Sequence, residues 1–123
     1  MKTIAVIQAR YDSSRLPGKA LMDLGGLPVL AWLIRAVDAA PGIDYAVIAT
    51  SVEETDNPIV DWCEENEIVC YRGPKEDVLR RFSIAVEGEQ ADIALRLTGD
   101  CPFHDPQVLG GAVAMRSLTN ADY

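Results

Sequence analysis

At 123 residues the chain has the length of a single domain, enough to bury a core without the help of disulfides or a metal. Its 49% hydrophobic and 24% charged residues exclude wholesale disorder, and no apolar run reaches the roughly 18 residues of a membrane span. A net charge of −8 argues against a nucleic-acid surface, which needs a basic stripe.

The expected organisation is one domain over residues 1–123. The N-terminal apolar run turns polar at Gln8 and Arg10, too soon for a signal peptide. Cys63, Cys70 and Cys101 form no C-x-x-C pair, which points to a reducing cytoplasm, with Cys63 and Cys70 as core residues.

Thr3 to Gln8 reads as a central buried strand. A polar loop follows from Ala9 to about Gly26. Leu27 to Ala39 has helical spacing, with Pro28 in the first turn and Pro41-Gly42 as the stop. Asp44 to Ala49 is a second buried strand. Asn57 is the expected cap of a helix starting at Pro58, with Ile59, Trp62 and Cys63 facing the core. Residues 53 to 67 hold seven acids (Glu53, Glu54, Asp56, Asp61, Glu64, Glu65 and Glu67) and no base, a pattern read as a solvated helix face.

Glu67 to Tyr71 is the third expected strand. Glu76 to Glu87 is helical, with Val78, Leu79, Phe82, Ala85 and Val86 on one face and Gly88 as the end. Ile93, Leu95 and Leu97 mark a fourth strand. Asp105 caps a last helix beginning at Pro106. Strands alternating with helices imply an α/β fold with a parallel sheet. Ligands of such sheets bind beyond the carboxyl ends of the strands.

The loops at those ends carry the chemistry. Between Gln8 and Lys19 lie Arg10, Arg15 and Lys19, with the hydroxyls of Ser13 and Ser14 and a single acid, Asp12. Guanidinium groups make paired hydrogen bonds to phosphate oxygens and lysine adds a mobile charge, so a polyphosphate is the natural occupant. The loop matches neither common phosphate-binding glycine motif. Asp100, between Gly99 and Cys101-Pro102, is either a turn residue or a ligand for Mg²⁺, which takes one or two carboxylates plus substrate phosphates. Arg72 is free to hold a substrate group or Asp77, and Asp77 itself suits the first turn of a helix. His104, with Cys101 and Asp105, fits no standard metal spacing.

Taken in order, Gln-Ala-Arg-Tyr-Asp-Ser-Ser-Arg-Leu-Pro-Gly-Lys, Gly-Gly-Leu-Pro-Val-Leu, Val-Ile-Ala-Thr-Ser, Tyr-Arg-Gly-Pro-Lys-Glu-Asp-Val-Leu-Arg-Arg-Phe and Arg-Leu-Thr-Gly-Asp-Cys-Pro resemble the cytidylyltransferase family. That family includes CMP-KDO synthetases, acylneuraminate cytidylyltransferases and the spore-coat polysaccharide type. The Arg-Gly-x-x-Glu-Asp-Val-Leu and Thr-Gly-Asp-Cys-Pro segments resemble the spore-coat type most.

The resemblance implies a Rossmann-like nucleotide-diphospho-sugar transferase fold with strand order 3-2-1-4, truncated relative to the family. It implies transfer of CMP from CTP to a sugar, typically acidic, with release of pyrophosphate. Arg10, Arg15 and Lys19 would meet the triphosphate, with Ser13 and Ser14 in the same loop, and Ala9 and Arg10 the cytosine through their backbone. Asp100 would hold Mg²⁺, and Arg72 and Asp77 would lie near the nucleoside or sugar. The family's further metal-binding aspartate lies beyond Tyr123. Thr98 stands where the KDO and sialic enzymes carry Gln, so the acceptor sugar does not transfer from them. The alternatives are a nucleotide-binding module without turnover, or active only with a partner chain, and a glycosyltransferase of related fold. The fourth strand, expected at an edge, implies a homodimer or other self-association.

Overall fold

The structure is a computed structural model that describes residues 1–11 and 18–98. The main sheet is built from β1 (Thr3–Gln8), β4 (Tyr45–Ser51), β5 (Cys70–Gly73) and β6 (Ile93–Thr98), in the order β5-β4-β1-β6. Every pairing is parallel, with Val6 opposite both Val47 and Arg96, and Ser51 opposite Gly73. Counting only these strands, the order is the expected 3-2-1-4. β1 is buried along its whole length, as a strand covered on both faces must be.

Helices α1 (Val29–Asp38) and α2 (Asn57–Glu65) pack on one face. There Leu30, Leu33, Val37, Ile59 and Cys63 meet Ala5, Ile7 and Ile48, with Cys70 against the same cluster. Cys63 is a core residue, as its pattern suggested, whereas Cys70 is half-buried at the edge of that cluster. The neighbouring Cys70 thiol, together with burial, pushes the Cys63 thiol far up, which makes it a poor nucleophile. Helix α3 (Val78–Glu89) covers the other face, where Phe82, Ala85 and Val86 pack on Ile4, Val6, Val47 and Ala49. Among the described residues no helix is long and apolar enough to cross a membrane.

Several boundaries differ from the sequence reading, each for a local reason. Asp23–Leu24 (β2) and Leu27–Pro28 (β3) form a small antiparallel hairpin where a loop was expected. Gly25 and Gly26 supply the two positive φ angles, 64° and 99°, of a two-residue turn. Pro28 therefore sits extended in front of α1 and outside its first turn. Asn57 lies inside α2, because a 3₁₀ turn at Glu54–Asp56 comes first and Asp56 occupies the cap position.

Glu67, at φ 57°, turns the chain, so β5 starts at Cys70 and runs to Gly73 rather than spanning Glu67 to Tyr71. In α3, Leu79 points outward at 70% exposure and Arg81 points inward. The buried stripe follows Arg81 and Ala85, four residues apart, and Leu79 lies off it.

Gly88 does not end α3; the helix runs on to Glu89 and is capped by Gln90 in the left-handed region, at φ 54°. Gly88 is there for proximity. A Cβ on it would stand 2.8 Å from both Cζ and Oη of Tyr71. The ring cannot retreat easily, since the hydroxyls of Tyr71 and Tyr45 both donate to the carboxylate of Glu89. Gly88→Ala is expected to destabilise. Overpacking costs about 1–3 kcal/mol, and alanine's helix propensity returns up to about 1 kcal/mol. The net loss of about 1–2 kcal/mol is measurable as a fall in the urea midpoint.

Candidate nucleotide site at the carboxyl ends of the strands

All four parallel strands end on one side of the sheet, so the loops after Gln8, Ser51 and Gly73 start there, on the side where β6 ends at Thr98. The first of these loops is anchored at both ends. Ala9 N donates to Ala49 O at 3.0 Å, and Gly18 N donates to Tyr11 O at 2.6 Å. The second bond brings the end of the loop back beside its start. Gly18 holds φ 78° against the Tyr11 ring, 3.2 Å from where a Cβ would sit. Lys19 follows directly, as the first residue of the 3₁₀ turn Lys19–Leu21. Arg10 and Lys19 are thus delivered from the two ends of one closed loop.

Asp56 organises the site. It was read as part of a solvated acidic face, but its side chain is fully buried. Its carboxylate accepts from Arg10 Nε, from Ser51 Oγ and, at 2.8 Å, from Tyr11 N. One carboxylate therefore ties the loop after β1 to the loop after β4. Burial alone would raise its pKa. The hydrogen bonds from Ser51 and Tyr11 and the charge of Arg10 outweigh burial and hold it below 3.8, so it stays ionised. Asp56 falls just past a strand end, before Asn57-Pro58, where an inward carboxylate reaches the ligand side of the sheet. Its place after a strand end is shared with Glu53 and Glu54, so the sequence does not single it out.

Arg72 is braced by backbone: its Nε donates to Ser51 O at 2.7 Å and its Nη2 to Glu53 O at 2.9 Å. It therefore stiffens the same β4 loop. Asp77 is the cap of α3, accepting from Arg80 N at 2.9 Å. Ala9 is buried at the end of β1. The structure thus brings together Ala9, Arg10, Lys19 and Arg72 with Asp56, and places Asp77 at the head of α3. Ser13, Ser14, Arg15 and Asp100 lie outside the described residues. So do Cys101, His104 and the helix expected from Asp105. Among the described residues no group of three or more His, Cys, Asp or Glu side chains is arranged to hold a metal.

The family model for cytidylyltransferases matches residues 4–123. The chain belongs to the cytidylyltransferase family. A relative with this sequence pattern is the spore coat polysaccharide biosynthesis protein SpsF of Bacillus subtilis, 38% identical over 122 residues, which cover 96% of this chain and 51% of SpsF. Among solved structures, a cytidylyltransferase from Leptospira borgpetersenii superposes with a TM-score of 0.85 at 31% identity, covering 94% of this chain and 48% of that one. A CMP:2-keto-3-deoxy-manno-octonic acid synthetase complexed with CTP gives a TM-score of 0.82 at 25% identity, covering 98% of this chain and 49% of that one. The chain therefore spans about half the length of these relatives.

Proposed function

We propose that this chain carries the nucleotide-binding half of a cytidylyltransferase that transfers CMP from CTP to an acidic sugar, for cell-surface or spore-coat polysaccharide synthesis in the cytoplasm. The observation that carries the reading is the closed loop that presents Arg10 and Lys19 together, with Asp56 aiming Arg10. In this reading the sugar hydroxyl attacks the α-phosphorus, the bond to the bridging oxygen breaks, and pyrophosphate leaves with its electron pair.

Arg10, Arg15 and Lys19 neutralise the triphosphate, and Ser13 and Ser14 hydrogen-bond it. The backbone of Ala9 and Arg10 meets the cytosine. Arg72 and Asp77 border the nucleoside or sugar. Catalysis of this kind is positioning and charge neutralisation, and it needs no covalent nucleophile. Arg10 suits it. Asp56 takes its Nε, while its Nη2 is buried without a hydrogen-bond partner among the described residues. Mg²⁺ is assigned to Asp100; a hard cation there would take carboxylate and phosphate oxygens and withdraw charge from the triphosphate.

Calorimetry with CTP, UTP and ATP, with and without Mg²⁺, tests the reading, together with pyrophosphate release on a panel of sugar acids. CTP is expected to bind most tightly, and Asp100→Asn to remove the Mg²⁺ enhancement while leaving the melting temperature nearly unchanged. Equal affinity for all three nucleotides would overturn it. CTP binding without pyrophosphate release favours the second reading, a nucleotide-binding module without turnover of its own or active only with a partner chain.

A further inference from the structure

Arg81 is 5% exposed, yet its Nε and Nη1 are buried without a hydrogen-bond partner among the described residues. Arginine cannot shed its proton, and a buried cation without acceptors is costly. Its place explains why it is not simply a mispacked surface residue. The Arg81 stem is pressed against β5, where a Cβ on Gly73 would stand 2.9 Å from Arg81 Cγ and 3.3 Å from its Cα. Only a glycine at the end of β5 lets the side chain lie there.

Val6, Val47 and Ala49 pack on the α3 side of the sheet, so the two-residue period puts Gln8, Ser51 and Arg96 on that side too. Gln8 follows this rule, since its Nε2 donates to Val78 O at 3.2 Å. Arg81 thus enters the ligand end of the sheet from the opposite side to α2. Burial first, then the charges of Arg10 and Arg96, lower its pKa, while Asp56 opposes them. Three guanidinium groups share this region, and Asp56 is already spent on Arg10.

We propose that Arg81 is a further anion-binding residue of this site, donating to an oxyanion of the bound substrate from the α3 side of the sheet. Two sources share that chemistry, a phosphate of the nucleotide and the carboxylate of a sugar acid. The inference rests on the nucleotide reading above for its ligand, and on the orphaned guanidinium for its site. Gly73 and Arg81 form a unit, the glycine making room for the stem and the helix carrying the charge inward.

The test is calorimetry on the full chain with inorganic pyrophosphate, CTP and a sugar acid, for wild type and Arg81→Lys, with circular dichroism to confirm the fold. Lysine keeps the charge but loses the planar fork. Pyrophosphate and CTP affinity at least tenfold weaker in the variant, with an unchanged spectrum, supports a phosphate source. The same loss confined to the sugar acid supports a carboxylate source. Unchanged affinity for all three overturns the proposal.

Arg81→Met adds a readout that a structural role would not give. Removing a buried charge that has no hydrogen-bond partner among the described residues is expected to leave the anion-free melting temperature equal or higher, and to abolish its rise with pyrophosphate or with the sugar acid, whichever is the source. A lower melting temperature with the full rise in both pyrophosphate and the sugar acid overturns the proposal. If wild type binds pyrophosphate but prefers no nucleotide, the cytidylyltransferase reading fails and the Arg81 site stands. If CTP binds selectively, and CTP, pyrophosphate and the sugar acid each bind equally to wild type and Arg81→Lys, the reverse holds.

Discussion

Asp56→Ala is expected to destabilise the protein by about 3–5 kcal/mol, the usual cost of removing one partner from a buried ion pair. The carboxylate is fully buried and holds three donors, two from the loop after β1 and one from the end of β4. Its loss leaves Arg10 without its counter-charge and Tyr11 N and Ser51 Oγ without their acceptor. The effect has two separable parts. Asp56→Asn keeps the shape and part of the hydrogen bonding but removes the charge, so it should fall between wild type and alanine in urea denaturation.

Acid titration distinguishes the two further. The Asp56 pKa is lowered on folding, so its stabilisation is complete above the unfolded value near 4 and is lost as pH falls through the lower folded value. Glu89, lowered by the hydroxyls of Tyr45 and Tyr71, acts in the same direction and the same window. Wild-type stability should therefore fall steeply below about pH 4. Asp56→Asn should show a shallower fall, with the Glu89 contribution remaining. An equal acid slope in both proteins would mean that Asp56 is not ionised in the native state.

Lys19→Ala is expected to weaken CTP binding by about 1.5–3 kcal/mol, or roughly 10–150-fold in Kd, the range for a hydrogen bond to a charged group. Its effect on folding should be small, because Lys19 makes no side-chain hydrogen bond among the described residues and its turn is held by backbone. Leu21 N donates to Gly18 O and Met22 N to Lys19 O, both at 3.1 Å. Arg35→Ala is the matched control, since it removes the same charge from an exposed position on α1. Raised salt should narrow the gap between wild type and Lys19→Ala while leaving the Arg35 variant parallel to wild type. Equal CTP affinity in wild type and Lys19→Ala would remove the loop after β1 from the nucleotide site.

The four strands were legible because buried parallel strands are short apolar runs, and Thr3–Gln8 and Tyr45–Ser51 are covered on both faces. The helices were legible from period and breakers, and the order of the loops was enough to place the chemistry at one end of the sheet. The basic loop from Arg10 to Lys19 was visible as charge against an acidic background. The hairpin at Asp23–Pro28 carried a sequence signal, Gly25-Gly26, that was overlooked between two very short strands.

Other features had no local signal. Asp56 is one of seven acids in fifteen residues, and nothing local separates it from its solvated neighbours. Its burial comes from Arg10 and Ser51, which reach it only after β1 and β4 pair. Gly88 looked like a helix stop because glycine usually is one, whereas its true reason is a tyrosine ring seventeen residues earlier on β5. Arg81 sits next to Arg80 in a charged pair that reads as surface, and the sheet buries one and exposes the other. Local periodicity determined which segments form elements, because each element's own side chains create it. The site's charge balance was decided by the tertiary structure, because burying or pairing a charge requires partners that are distant in the chain.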